Sequence, residues 1–169
     1  VFAVSSDNGK TFTKASQPNG MRNGRVAYSA TDPDVMVWVP QNGAPVRTAD
    51  RGASWNASSG APSTAITEFW LTKQPLASDR INGKRFYLCS NEGTGTKSEF
   101  YRSDDGGATW KLVNSRDLAP CGVWDNTIVK AAPGMENEVW VSQHADGLYR
   151  SFGWRATPGC DAAKLLWLK

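Results

Sequence analysis

The sequence predicts an all-β protein of repeated four-stranded antiparallel sheets, arranged as about three to four propeller blades. Three observations predict it. A short polar motif recurs along the 169-residue chain. Runs rich in β-branched and aromatic residues flank the copies. No stretch of useful length carries the apolar period of an amphipathic helix.

The first copy reads Ser5-Ser6-Asp7-Asn8-Gly9-Lys10-Thr11-Phe12. The second is Thr48-Ala49-Asp50-Arg51-Gly52-Ala53-Ser54-Trp55, and the third is Ser103-Asp104-Asp105-Gly106-Gly107-Ala108-Thr109-Trp110. The shared pattern is Ser/Thr, any, Asp, any, Gly, any, Thr/Ser, aromatic. Asp7, Asp50 and Asp105 stand 43 and 55 residues apart. A worn fourth copy follows Leu148-Tyr149-Arg150-Ser151: Ala156-Thr157 matches Ala108-Thr109, with Gly153 in the Asp position and Arg155 in the Gly position. The segments VFAVS, PVRT, EFYRS and GLYRS precede the four boxes, and TFTKA, SWNAS and TWKLV follow the first three. Between them lie RVAYSA, VMVWVP, RFYLCS, NTIVKAA and EVWVSQ, giving about four strands per repeat. Blades are thus expected over residues 1–151, with 152–169 a diverged tail or partial blade.

A pair of carboxylates beside glycines looks like a catalytic site, but every part of the box has a task in a turn. The Ser or Thr hydroxyl and the Asp carboxylate bond to turn N–H groups. The glycine permits positive φ, and the aromatic buries against neighbouring strands. Catalytic acids rarely recur along one chain. Ser5, Asp7 and Gly9, Thr48, Asp50, Gly52 and Trp55, and Ser103, Asp105, Gly107 and Trp110 are therefore expected to build the fold.

Composition narrows the function classes. Hydrophobic residues make up 40% and charged residues 21%, as in ordinary globular domains. The net charge of +3 is dispersed, with no basic run of the kind that binds nucleic acid. No apolar stretch approaches a membrane span. The start reads as a processed or truncated one, with no leader pattern. Cys89, Cys121 and Cys160 are odd in number, so at most one pair forms. With the single His144 they make no zinc site, and no cofactor or metal is expected. Gly9-Lys10-Thr11 ends like a phosphate-binding loop, but Val4 stands where that loop needs glycine. Asn56-Ala57-Ser58 fits a glycosylation sequon, relevant only to a secreted chain.

The boxes resemble the Asp-box, or BNR repeat, of sialidases, sortilin-type receptors and glycoside hydrolases of family 74. The arginine cluster and tyrosine nucleophile of a sialidase are not identifiable. Longer stretches resemble the C-terminal propeller of family 74: Asn42 to Thr48, Leu76 to Tyr87, Lys130 to Gly134, Glu138 to Ser142 and Gly147 to Ser151. The resemblance implies a secreted enzyme with two seven-bladed propellers, in which two aspartates cleave β-1,4-glucan backbones such as xyloglucan with inversion. It places those aspartates upstream of the matching stretch, so no residue of this chain is assigned a catalytic role. At about 45 residues per blade the chain supplies three to four, so the remaining blades are expected from another segment or chain, a ring of four being conceivable but tight. The rival is a non-catalytic propeller that binds glycans or protein, lectin-like or sortilin-like.

A box joining third and fourth strands lies on one face of the disc. Ligands are then expected on the opposite face, in the connections Lys14–Gly24, Asn56–Trp70, Asn91–Ser98, Asn114–Asn126 and Gln143–Gly147. Trp70 and Trp124 suit stacking on a pyranose, although Trp70 equally suits a core position. Asp125, Gln143, His144 and Arg22 suit hydrogen bonds to hydroxyls, and His144 equally suits a plain surface position.

Overall fold

The computed structural model describes residues 3–15, 23–64, 74–90, 99–114, 127–143, 147–151 and 167–168, and these contain strands and no helix. A two-stranded ribbon pairs β1 (Ala3–Val4) with β2 (Thr13–Lys14). Three four-stranded meanders follow. The first blade holds β3 (Arg25–Tyr28), β4 (Met36–Val39), β5 (Val46–Thr48) and β6 (Asn56–Ala57). The second holds β7 (Leu76–Ser78), β8 (Phe86–Ser90), β9 (Glu99–Ser103) and β10 (Lys111–Asn114). The third holds β11 (Ile128–Ala131), β12 (Val139–Gln143), β13 (Gly147–Ser151) and β14 (Trp167–Leu168). The expected blade architecture is present. The sequence does not reveal β7, whose short Leu-Ala-Ser run lacks any β-branched or aromatic residue.

Register makes the repeats equivalent. Met36, Phe86 and Val139 on the second strands lie opposite Thr48, Ser103 and Ser151 on the third. Because side chains alternate along a strand, a blade between two others is apolar on both faces. In β8, Phe86 and Leu88 pack toward the first blade with Val37, Val39, Leu76, Tyr101 and Trp110. Tyr87 and Cys89 face the third blade with Phe100, Val129, Val139, Val141 and Tyr149. Each large side chain so buried contributes about 1.5–3 kcal/mol.

Hydrogen bonds join the seams at both radii. On the inner side β3 runs beside β7, and β7 beside β11. There Gln74 N donates to Thr127 O (2.9 Å), and Val129 N donates to Gln74 O (2.8 Å). On the outer side Trp110 N donates to Ser59 O (2.9 Å), and Ser59 N to Ala108 O (2.9 Å). Two glycines permit this approach. A Cβ on Gly107 (φ 85°) would lie 2.3 Å from Val37 Cγ2, and one on Gly60 (φ 70°) would lie 2.3 Å from the Trp110 carbonyl oxygen.

The box aromatics do not share one environment. Trp110 is 4% exposed in the first seam. Trp55 is half-buried, its ring edge-on to Trp38 at 5.7 Å. Phe12 is 67% exposed, contrary to the expected burial, because its ribbon has only two strands among the described residues. At the end of the chain a short strand joins the third blade. Ala156-Thr157 lies outside the described residues, yet Trp167 pairs with Ser151 and Leu168 with Arg150. Since Lys111 pairs with Arg102, Trp167 holds the register position of Trp110. The connection to the fourth strand therefore runs over residues 152–166, in place of the six residues 104–109 of the third box.

Candidate functional site

In a meander, successive connections alternate between the two ends of the sheet. Residues 29–35, 79–85 and 132–138 join first to second strands, and 49–55 and 104–110 join third to fourth. All lie on one face. At the other end lie 40–45 and the strand ends that flank 91–98, 144–146 and the blade-to-blade stretches 15–24, 58–75 and 115–127.

The box face is built from closed local networks, the same in all three copies. Ser5 Oγ, Thr48 Oγ1 and Ser103 Oγ donate to the aspartate two residues on, at 2.8, 2.6 and 2.9 Å. The same oxygens accept the N–H of Gly9, Gly52 and Gly107, at 2.7, 2.9 and 2.9 Å. Each aspartate accepts the backbone N–H and the hydroxyl of Thr11, Ser54 or Thr109. The Thr11 and Ser54 hydroxyls, followed by their N–H groups, pull Asp7 and Asp50 down to a pKa of about 2. At Asp105 burial opposes the shift, but the bonds from Thr109 and Ser103 still hold the carboxyl below its usual value. A carboxylate fixed by such donors is a poor proton carrier at neutral pH.

The first-to-second-strand turns form a second repeat that the sequence hides. Ser29 N donates to Val35 O (3.0 Å), Asp79 N to Arg85 O (2.9 Å) and Ala132 N to Glu138 O (2.9 Å). Ser29 Oγ caps the N–H groups of Thr31 and Asp32, as Asp79 Oδ1 caps those of Ile81 and Asn82. Ala132 has no such acceptor. Asp79 reaches across instead: its Oδ2 accepts Tyr87 OH (2.8 Å) and the N–H of Asn137 (2.9 Å) in the third blade. Asp79 is 0% exposed. Burial opposes its ionisation, yet these donors hold its pKa below the usual value. Burial, then the Asp79 charge, raises the Tyr87 hydroxyl. Nearby Arg85 binds Asp104 (2.6 Å) and Glu136 (3.1 Å), joining the second blade to the third at the surface.

Most of the residues expected to meet a ligand cannot be placed on either face. Arg22, Trp70, Trp124, Asp125 and His144 lie outside the described residues. Gln143 ends β12, paired with Gly147, and its backbone lies on the face opposite the boxes. The described part adds groups that the sequence reading missed, above all the 40–45 connection. Asn23 Nδ2 donates to Gln41 Oε1 (2.9 Å), and Trp38 Nε1 donates to the Asn23 carbonyl (2.8 Å). Tyr101 OH donates to Glu99 Oε2 (2.5 Å) at the foot of the 91–98 connection. Amides, a carboxylate and a phenol offer both donors and acceptors, as hydroxyl-rich ligands require. Among the described residues no group of three or more His, Cys, Asp or Glu is placed to hold a metal ion.

Known proteins match this architecture. The family described as Sortilin, neurotensin receptor 3 (Sortilin-Vps10) matches residues 1–148. The xyloglucanase Xgh74A of Acetivibrio thermocellus is 35% identical over 131 residues, covering 78% of this chain and 13% of that protein. A xyloglucanase from a Paenibacillus species is 28% identical over 142 residues, covering 83% of this chain and 12% of its own length. Among solved structures, the family 74 enzyme of Niastella koreensis superposes with a TM-score of 0.65 at 25% identity, over 88% of this chain and 19% of that one. The family 74 xyloglucanase of Xanthomonas campestris gives 0.64 at 25% identity, with the same coverage. The chain thus spans a small part of the relatives it matches. It belongs to the Sortilin-Vps10 family and corresponds to a section of the family 74 glycoside hydrolases that it resembles.

Proposed function

We propose that the chain supplies blades to a propeller enzyme that cleaves xyloglucan or a related β-1,4-glucan outside the cell, and that the face opposite the boxes forms part of its glycan cleft. The supporting observation is the 35% identity to a xyloglucanase over 131 residues, which comes with matching blade geometry. In this reading Trp124 and Trp70 stack on pyranose rings. Asp125, Gln143, His144 and Arg22 hydrogen-bond to hydroxyls, with Gln41 and Glu99 beside them. The boxes hold the hairpins and take no part in chemistry. An inverting hydrolase needs an acid and a base far enough apart to admit water; both come from outside this chain. The blades that complete a seven-membered ring come from another segment or chain.

The match to a sortilin family model favours a second reading, a non-catalytic propeller that binds glycan or protein. Affinity electrophoresis in xyloglucan gels separates the two, followed by chromatography of the incubated polymer. Retardation of the chain without new oligosaccharides supports the cleft reading with chemistry supplied elsewhere. Absence of retardation contradicts it and favours a protein-binding propeller. New oligosaccharides would show an acid pair within reach of this chain and contradict the assignment of chemistry elsewhere.

A further inference from the structure

A cleft of about 580 Å³ opens on the box face between the first and second blades. Its polar lining comes from Thr31, Asp32, Arg47, Lys84, Asp104 and Asp105. Arg47 is the odd member of three equivalent arginines. Arg47, Arg102 and Arg150 occupy the same third-strand position, opposite Val37, Tyr87 and Trp140. Arg102 binds Asp104 (2.9 Å), and Arg150 binds Glu138 (2.9 Å). In the first blade Ala49 and Val35 stand where those acids would be. Arg47 Nε is buried with no hydrogen-bond partner, and no ion pair forms at its guanidinium among the described residues.

The cleft's acids are mostly committed. Asp104 is held by Arg85 and Arg102. Asp105 is held by Ser103 and Thr109. Asp32 gives one oxygen to Asp34 N and keeps the other. What remains for a ligand is a pair of cations, Arg47 and the exposed Lys84, beside one carboxylate oxygen and the Thr31 hydroxyl. A guanidinium whose Nε is buried without an acceptor is costly, and a carboxylate is its natural partner. The neighbouring acceptors call for hydroxyls on the same ligand. The volume falls within the range of about 300–1,000 Å³ common for small-molecule sites.

We propose that this cleft binds a carboxylated sugar of the hexuronate class, its carboxylate on Arg47 and Lys84 and its hydroxyls on Asp32 and Thr31. The site is on the face away from the proposed glycan cleft and does not depend on that reading.

Amide NMR titration of the 169-residue chain tests it, following the Gly83, Lys84 and Gly106 signals. D-glucuronate, D-glucose and acetate are the probes. D-glucuronate should give saturable shifts, D-glucose none, and acetate weaker binding. Arg47→Met should weaken D-glucuronate binding by about tenfold or more, as loss of a charge-assisted contact predicts. Lys84→Met, at an exposed position, keeps the fold and should weaken it by a smaller factor. If Arg47→Met fails to fold, Lys84→Met decides. No saturable shift with D-glucuronate, equal affinity for D-glucose or acetate, or unchanged affinity in the folded variants would overturn the proposal.

Discussion

The two faces of these blades put similar residue types to opposite uses. On the box face, aspartates, serines and threonines close upon turn N–H groups within four residues of themselves. Their bonding capacity is occupied, so the face is stiff, and most of its carboxylates are unavailable to a substrate. On the opposite face the blade-to-blade connections are longer, and Gln41, Asn23 and Glu99 sit beside the strand ends with capacity to spare. Asp105 in a glycine-rich loop looks catalytic in sequence, and its geometry shows a carboxylate consumed by its own turn. A polar cluster is a candidate site only after its internal bonds have been counted.

The largest effect should come from the one buried acid that spans two blades. Asp79→Ala strands Tyr87 OH and three backbone N–H groups. Chemical denaturation should show a loss of about 3–5 kcal/mol. A loss no greater than that of a surface substitution would remove Asp79 from the seam. Asp105→Ala should cost less, about 1–2 kcal/mol, since its turn is partly solvated.

Acid should weaken the box face selectively. Asp7 and Asp50 have folded pKa values of about 2 against an ordinary 3.8. Their folded carboxylates are the better acids, so their contribution is present above the ordinary value and fades as pH falls toward 2. Urea midpoints should therefore drop over that window, and Asp50→Asn should flatten part of the drop. An equal slope in the variant would separate the boxes from acid stability.

The smallest expected effect concerns the opposite face. Trp124→Ala should weaken xyloglucan-oligosaccharide binding by roughly 2- to 10-fold, measured by calorimetry at matched folded concentration. Unchanged affinity would take Trp124 out of the cleft.

What was legible in the sequence follows from what is local. The boxes could be read because hydroxyl, aspartate and glycine meet within one octapeptide. The first-to-second-strand turns escaped notice because one geometry is capped by Ser29 in the first blade and Asp79 in the second, and left to the backbone at Ala132. No shared letter marks them. The bond from Asn137 to Asp79 joins blades and exists only once they stack. The register of Trp167 was hidden for a related reason: pairing with Ser151 fixes the position of the strand, whereas Thr157 in the place of Thr109 puts residue 158, nine residues earlier, at the Trp110 position. The ligand residues expected at 22, 70, 124, 125 and 144 were named from strand order and residue chemistry, and those residues are the ones the structure leaves undescribed.

The division of labour between the faces is tested most directly by measuring melting temperature and xyloglucan-oligosaccharide affinity together in Asp105→Ala and Trp124→Ala. The prediction is a crossed result. Asp105→Ala melts lower and, while folded, binds as the parent does; Trp124→Ala melts like the parent and binds more weakly. An Asp105→Ala protein with parental melting and lost binding would contradict the account and return the box to the active chemistry.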